Sequence, residues 1–362
     1  MIGFDPSDEQ QLITETVRQF AENEIRTHAR TTDESRSIPK QILARAHELG
    51  LVTNSLPEAF GGGGERSSVT GALVLEELAW GDLSIALAVL SPSLLGLSLA
   101  DHGTDEQKRS HLPSLCGPTF EPGCLALVEP RFDFDPLQPA TRARREGDEF
   151  VISGEKCFVP WLEGGGPMLV VAREGEEPQV FLVPRSSPGL TATPEENLGI
   201  RGLPTVELSF DQVRIPAGGR LGGQHGSDLR QLIDRGRVAI AAAGVGMARA
   251  SFELARDYAK TREAFGGPIA TKQAIAFKLA DMAIEIDGAR LLTWEAAFAL
   301  DQGEDATRLA RLAFDKVRRT ALQASDGAVQ IFGGYGYIRD YLPEMHLRNA
   351  AGLSNFEGLA LV

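Results

Sequence analysis

Apolar residues in the first third of the chain recur at the spacing of amphipathic helices. Ile13, Val17 and Phe20 lie three and four residues apart, which places them on one face of a helix. Ser7 and Gln10 stand before them as a capping box, a signal for a helix N-terminus. The same reasoning predicts helices over 39–50, 67–80 and 85–99, and a short helix after a second capping box at Thr104 and Gln107.

The pattern changes at about Cys116 to short runs of β-branched and aromatic residues between prolines and glycines. Such runs at regular spacing are typical of strands in an all-β domain. We therefore expect an antiparallel, barrel-like β domain of roughly 100 residues. Its predicted strands lie over 124–128, 150–152, 168–172, 180–183, 190–193 and 206–210.

Long helical patterns return after Gly223. Apolar stripes run over 238–259, 275–289 and 306–332, and Pro268 is expected to begin the second helix. Long helices with single apolar stripes indicate a helical bundle. The order predicts an α+β multidomain protein with an N-terminal α-helical domain over 1–115, a middle β domain over 116–223 and a C-terminal helical bundle over 224–362.

Charge and cysteine content narrow the function classes. The 36 Lys and Arg residues against 50 Asp and Glu give a net charge of −14, so nucleic acid is not an expected partner. Three cysteines without paired spacing, and a start without an export signal, predict reduced thiols in the cytoplasm. The longest apolar run, 84–100, is interrupted by Pro92 and several serines. It predicts a buried helix pair and not a membrane span.

The common catalytic signatures are missing from the sequence. Six scattered histidines have no spacing that would suggest a metal site. There is no G-x-S-x-G, no Walker loop and no G-x-G-x-x-G after a strand. The run 61–64 is four glycines without a following Lys-Ser/Thr pair, and it is interpreted as a loop.

Seven segments, spread in order over nearly the whole chain, together resemble the acyl-CoA dehydrogenase family. Each segment alone is weak, but the shared order makes the set specific. The segments are 56–62, 103–108, 197–201 with 210–216, 261–269, 273–282, 326–337 and 348–357.

The resemblance implies a fold and an activity. The family has an N-terminal helical domain, a middle β-barrel and a C-terminal four-helix bundle. It oxidises an acyl-CoA thioester to the 2,3-enoyl-CoA and transfers hydride to FAD, as in fatty acid β-oxidation. An electron-transfer flavoprotein is the expected electron acceptor. A homotetramer, or a heterotetramer with a homologous subunit, is the expected assembly.

The family resemblance also predicts the catalytic base. In one branch of the family the base is the Glu of a Tyr-Glu-Gly motif that follows an Arg-Asp-Ala motif. Here Arg348-Asn349-Ala350 leads to Phe356-Glu357-Gly358 at that spacing, so Glu357 is the predicted base. The other branch carries its Glu at the position that is Gly236 here.

Further site residues follow from the same resemblance. Asp234 and Arg237 match family residues that hold the pantetheine part of CoA, although a surface ion pair would be the structural alternative. The adenine and pyrophosphate side of FAD, bound by the neighbouring subunit's bundle in the family, matches Arg262, Phe265, Gln273, Gln330, Gly333 and Gly334.

The flavin side departs from the family pattern. Val128 replaces a threonine that donates a hydroxyl to the flavin, and Phe134 replaces a serine. Phe158 keeps an aromatic wall, but Pro160 and Leu359 replace two further threonines. These changes leave two alternatives beside the FAD-dependent dehydrogenase: a degenerate partner subunit of a heteromeric enzyme, and a non-redox acyl-CoA-binding enzyme of the same fold.

Overall fold

The computed structural model describes residues 5–362, which begin with a helical region. The chain passes from α1 to α2 through one π-helical turn at Ala21–Ile25. Both predicted capping boxes are present, at Ser7 and at Thr104. The helices are α1 (Asp8–Phe20), α2 (Arg26–Ser35), α3 (Lys40–Glu48), α4 (Ser68–Gly81), α5 (Leu83–Val89), α6 (Pro92–His102) and α7 (Asp105–Leu115).

The apolar run 84–100 forms the predicted buried pair of helices, α5 and α6. The break falls at Leu90 and Ser91, and Pro92 occupies the first turn of α6, where a missing N–H costs nothing. Both helices are buried along almost their whole length.

The middle region is one seven-stranded sheet, ordered β1-β4-β2-β3-β7-β6 with β5 on β4. Four strand pairs are antiparallel, but β1 and β2 each run parallel to β4, so the sheet is mixed. The strands are β1 (Leu125–Ala126), β2 (Arg142–Glu146), β3 (Glu149–Pro160), β4 (Met168–Glu174), β5 (Glu177–Val183), β6 (Leu190–Pro194) and β7 (Thr205–Pro216).

The C-terminal region is built on three long helices. They are α8 (Leu229–Thr261), α9 (Gln273–Asp301) and α10 (Thr307–Phe332), followed by the short α11 (Pro343–Gly352). The prediction that Pro268 begins α9 is wrong by one short turn, because Ile269–Thr271 forms a 3₁₀ turn first.

Helix α8 joins the N-terminal region to the bundle. It packs against α4 and α10, and a Cβ on Gly246 would lie 2.0 Å from the Glu76 carbonyl oxygen. Glycine therefore permits the close approach of α4 and α8. The helix is long and apolar enough to cross a membrane, but 78% of its apolar window is buried inside the protein, as in the central helix of a bundle.

Candidate active site

A cavity of about 420 Å³ lies where the sheet meets the end of the chain, in the volume range of small-molecule sites. It brings together three residues predicted from distant parts of the sequence: Val128, Phe158 and Glu357. Phe134 and Cys157 also line it. Glu357 stands beside apolar and aromatic side chains, and the lining also includes polar Glu129, Arg131, Ser354 and Asn355. A carboxylate in such a cavity can serve as a base.

Glu357 is held by Arg237. The Arg237 Nε donates to Glu357 Oε1 at 2.6 Å, and both side chains are mostly buried. Among the described residues, Oε2 has no hydrogen-bond partner. The sequence prediction paired Arg237 with the CoA moiety, whereas its contact in the structure is the predicted base.

Asp234 lies one helical turn before Arg237 on α8. Its Oδ2 accepts a hydrogen bond from Thr307 Oγ1 at 2.7 Å, while the buried Oδ1 has no partner within residues 5–362. Burial raises the pKa of Asp234 above its usual value, against the opposing effects of Thr307 and Arg237. Asp234 forms no ion pair with Arg237 in the structure, and its Oδ1 is a buried acceptor without a hydrogen bond among the described residues.

A buried ion pair adjoins the cavity, with Glu129 in its lining and Lys156 behind it. Lys156 on β3 donates to Glu129 Oε1 at 2.9 Å and to the Leu127 carbonyl at 3.0 Å. Burial lowers the pKa of Lys156 to about 8. Burial also opposes ionisation of Glu129, but Lys156 and the Thr141 and Ala140 N–H groups keep its pKa below the usual value. The pair ties the Val128–Pro130 segment to β2 and β3.

A second cavity, of about 480 Å³, lies at the end of α8 and α10. Arg262, Gly333 and Gly334 line it, with the Arg262 guanidinium 5.8 Å from the Tyr335 ring centre. A Cβ on either glycine would meet nothing within 4 Å, so a ligand can approach this backbone.

The other three residues predicted for the adenine side do not line this cavity. Phe265 is 93% exposed, and Gln273 and Gln330 are also exposed. A single chain therefore brings together half of the predicted set, and the roles of all six residues stay predictions.

A third cavity, of about 720 Å³, lies between α1, the segment 49–74 and α6. Leu90, Ser93 and Leu97 line it, together with Leu361, but Glu357 does not. It belongs to the N-terminal region and is separate from the cavity of the predicted base.

The residues of the first two cavities fit FAD. Open space in front of Gly333 and Gly334 beside the Arg262 cation suits a pyrophosphate, and the apolar walls beside Glu357 suit a flavin ring. The side chains of Val128, Phe134 and Pro160 offer no hydroxyl, and Leu359 is buried. Backbone groups must therefore supply the flavin contacts that these hydroxyls make in the family.

Sequence reasoning missed the part of the site that stands behind the cavity walls. No alternation marks Lys156 as buried, because Val151 and Cys157 are buried as well and the register of β3 on β7 shifts between Ile152 and Gly154. The burial of Lys156 and its pairing with Glu129 are visible only in the folded structure.

Comparisons with known proteins cover the whole length of the chain. It matches the family profiles described as acyl-CoA dehydrogenase, N-terminal domain (residues 7–118), middle domain (124–213) and C-terminal domain (227–360). It is 37% identical to YngJ of Bacillus subtilis, a probable acyl-CoA dehydrogenase, over 99% of this chain and 96% of that protein.

Solved structures agree with these matches. Butyryl-CoA dehydrogenase of Megasphaera elsdenii superimposes with a TM-score of 0.89 at 29% identity, over 98% of this chain and 96% of that chain. A structure described as the electron transferring flavoprotein of Acidaminococcus fermentans superimposes with a TM-score of 0.90 at 28% identity, with the same coverage. The resemblance inferred from the sequence is thereby confirmed.

Proposed function

The chain belongs to the acyl-CoA dehydrogenase family, and we propose that Glu357 is the base of its reaction. The enzyme oxidises an acyl-CoA thioester to the 2,3-enoyl-CoA with FAD as cofactor. The observation that carries the assignment is the meeting of the Glu357 carboxylate, Val128 and Phe158 at one cavity.

The reaction needs a base that is shielded from water, because the α-proton of a thioester is weakly acidic. Glu357 Oε2 lacks a hydrogen-bond partner among the described residues and is the oxygen that takes the α-proton. Arg237, bound to Oε1, fixes the direction of the carboxylate. FAD, when bound, supplies the acceptor for the hydride that leaves the β-carbon.

Substrate binding is proposed to use the helix that carries Arg237. The unpartnered Oδ1 of Asp234 accepts a hydrogen bond from an amide or hydroxyl of the pantetheine arm. Because Asp234 and Arg237 lie one turn apart on α8, the arm reaches Glu357 along the same helical face.

Product analysis tests this function directly. The purified protein, incubated with butyryl-CoA and an artificial electron acceptor, is expected to form the 2,3-enoyl thioester, detected by mass spectrometry as a loss of two hydrogens. A protein that binds butyryl-CoA and never forms this product would contradict the assignment.

We propose that two or more chains assemble through α9, as a homotetramer or with a homologous subunit. Four apolar side chains at seven-residue intervals on α9 are exposed: Phe277 (61%), Ile284 (68%), Leu291 (46%) and Phe298 (56%). An apolar stripe with this repeat is typical of a helix that packs against a partner. A partner subunit on this face also lets the exposed Phe265, Gln273 and Gln330 of one chain complete the FAD site of the other.

An electron-transfer flavoprotein is the proposed electron acceptor. A chain similar to this one occurs in a structure described as an electron transferring flavoprotein, which supports the proposal. Stoichiometric reduction of a purified electron-transfer flavoprotein during turnover would test it. We further propose a cytoplasmic role in fatty acid β-oxidation. Three unpaired cysteines support a reducing compartment.

A degenerate partner subunit is the second candidate. The apolar Val128 and Phe134 at the cavity wall favour it, because hydroxyl donors of the family pattern are missing there. A colourless protein that gains flavin only when mixed with a homologous chain would select this candidate.

A further inference from the structure

Phe158 has a backbone conformation that bulky residues rarely adopt. Its φ angle is 53°, in the left-handed region where the Cβ of an L-residue meets steric conflict. Such conformations persist only where the surrounding structure enforces them, and they cluster at functional sites. Phe158 lines the same cavity as Glu357, so this strain lies in the wall of the candidate active site.

A β-bulge in β3 produces the unusual conformation. Lys156 pairs with Leu208 and Val159 pairs with Val206, so Cys157 and Phe158 together oppose a single residue of β7. A bulge takes its extra residue out of the hydrogen-bond ladder and redirects its side chain. The N–H of Phe158 therefore needs a partner outside the ladder.

The carboxylate of Glu195 is that partner. Both of its oxygens lie 3.1 Å from the Phe158 nitrogen. Glu195 directly follows β6, and its own N–H donates to the Thr205 carbonyl at 3.0 Å, which fixes it against β7. A charged acceptor makes a stronger bond with an N–H group than a neutral one does.

The other residue of the bulge, Cys157, is tied to a second residue of the cavity lining. The N–H of Cys157 donates to the Val128 carbonyl at 2.9 Å, and Val128 lines the cavity with Phe158. The bulge is thus held from two directions, by Val128 on one side and Glu195 on the other.

We propose that Glu195 is a positioning residue that holds the bulge in its left-handed form and so sets Phe158 as the wall against the flavin ring. It acts through the Phe158 N–H and does not line the cavity itself. The inference rests on the proposed placement of the flavin ring in this cavity.

The test is the affinity of the flavin-free protein for FAD, measured by quenching of flavin fluorescence. Glu195→Ala is expected to raise the dissociation constant about tenfold, since a charge-assisted hydrogen bond to the cavity wall is lost. Glu195→Gln keeps one carbonyl acceptor and is expected to stay within about threefold of wild type. Glu196→Ala removes the neighbouring carboxylate, which pairs with Arg36 on the surface, and is expected to bind FAD as wild type does.

Thermal unfolding of the flavin-free variants separates positioning from folding. The proposal predicts that Glu195→Ala changes FAD affinity and the circular dichroism of the bound flavin, with rescue by Gln. Equal affinity of Glu195→Ala and wild type would overturn the proposal while the function stands. An equal loss of FAD affinity in Glu195→Ala and Glu195→Gln would also overturn it. A wild-type protein that binds no FAD would overturn the proposal and the proposed function together.

Discussion

At the scale of single residues, the site depends on how one carboxylate is held. Arg237 binds Glu357 Oε1 at 2.6 Å, and the two side chains are 20% and 15% exposed. A charge-assisted bond of this length fixes the direction of the carboxylate. The other oxygen, Oε2, has no hydrogen-bond partner among residues 5–362, and Glu357 lines the cavity.

Replacing Glu357 with Gln tests the base. The variant keeps the shape and the hydrogen bond acceptor but cannot take a proton, so kcat is expected to fall at least about a thousandfold. Binding of acyl-CoA, measured by calorimetry, is expected to persist. Glu163→Gln, at an exposed carboxylate paired with Lys40, serves as the control. Wild-type turnover in Glu357→Gln would show that another group is the base.

Single residues also show what the sequence predicted and what it could not. The resemblance to the family predicts that Glu357, Val128 and Phe158 belong to one site, and the structure brings them to one cavity. The hydrogen bond between the Phe158 N–H and the Glu195 carboxylate could not be predicted, because it depends on a β-bulge. Hydrophobic alternation does not specify where an extra residue enters a strand.

At the scale of elements, the N-terminus of α5 contains a buried titratable cap. Asp82 Oδ1 accepts from the Ile85 N–H at 2.9 Å. Burial, helped by the nearby Asp33, raises the pKa of Asp82 from 3.8 to about 6 against the effect of the Ile85 N–H. The folded protein therefore binds a proton at this carboxyl in a pH range where the unfolded chain does not.

The stability contribution of Asp82 follows from that shift. From pH 3.8 to about 6, rising pH ionises the carboxyl more easily in the unfolded chain, so the free energy of unfolding falls. Above pH 6 the buried charge of Asp82 lowers the free energy of unfolding by its full amount, on the order of 2–3 kcal/mol. Asp82→Asn keeps a capping side chain without a titrating group.

Unfolding temperatures of Asp82→Asn and wild type are to be compared at about pH 5 and about pH 7.5. The variant is expected to gain stability relative to wild type at the higher pH. Asp82→Ala, which loses the cap, is expected to be less stable than Asp82→Asn at both. If the difference in unfolding temperature between Asp82→Asn and wild type does not change with pH, the raised pKa of Asp82 is contradicted.

The exposed apolar stripe of α9 can be tested as an interface by adding a charge to it. Ile284→Glu places a charge in the stripe and is expected to reduce the molar mass measured by light scattering, because a buried unpaired charge opposes association. Thr191→Glu, on the exposed β6 strand, adds the same charge away from the stripe as a control. An unchanged mass for Ile284→Glu would show that α9 is not the interface.

Helices with one buried face, such as α1 and α10, could be predicted from the spacing of their apolar residues. Two features of the sheet could not be predicted, for physical reasons. Strand β2 reads Arg-Ala-Arg-Arg-Glu, with Ala143 as its one buried residue, so no apolar alternation marks it. The parallel pairing of β1 and β2 with β4 depends on contacts between distant segments, which local patterns do not specify.

At the scale of the whole molecule, one ionic cluster joins the three regions. Arg348 on α11 donates to both oxygens of Asp33 on α2, at 3.0 and 2.8 Å. It also donates to Glu344 on its own helix and to the Leu198 carbonyl after β6. Asp33 and Glu344 raise the pKa of Arg348 further than burial lowers it, so the cation persists.

Removal of this cation is expected to loosen the assembly of the three regions. Arg348→Ala leaves buried Asp33 without its main partner, and we expect a loss of about 3 kcal/mol of stability, measured by urea unfolding. Arg348→Lys cannot bind Asp33 through two parallel hydrogen bonds, so this variant is expected to lose part of the same stability. Arg109→Ala, at an exposed site, is expected to change stability by less than about 0.5 kcal/mol. An equally small change in Arg348→Ala would contradict the role of the cluster.

The visible absorption spectrum of the protein purified alone, recorded without oxygen before and after addition of butyryl-CoA, shows whether the thioester reduces a bound flavin. We expect an oxidised-flavin band that bleaches as the thioester is oxidised. A protein that carries flavin but shows no bleaching, with butyryl-CoA or with longer and branched thioesters, would contradict the assignment of Glu357 and its cavity as the centre of acyl-CoA oxidation.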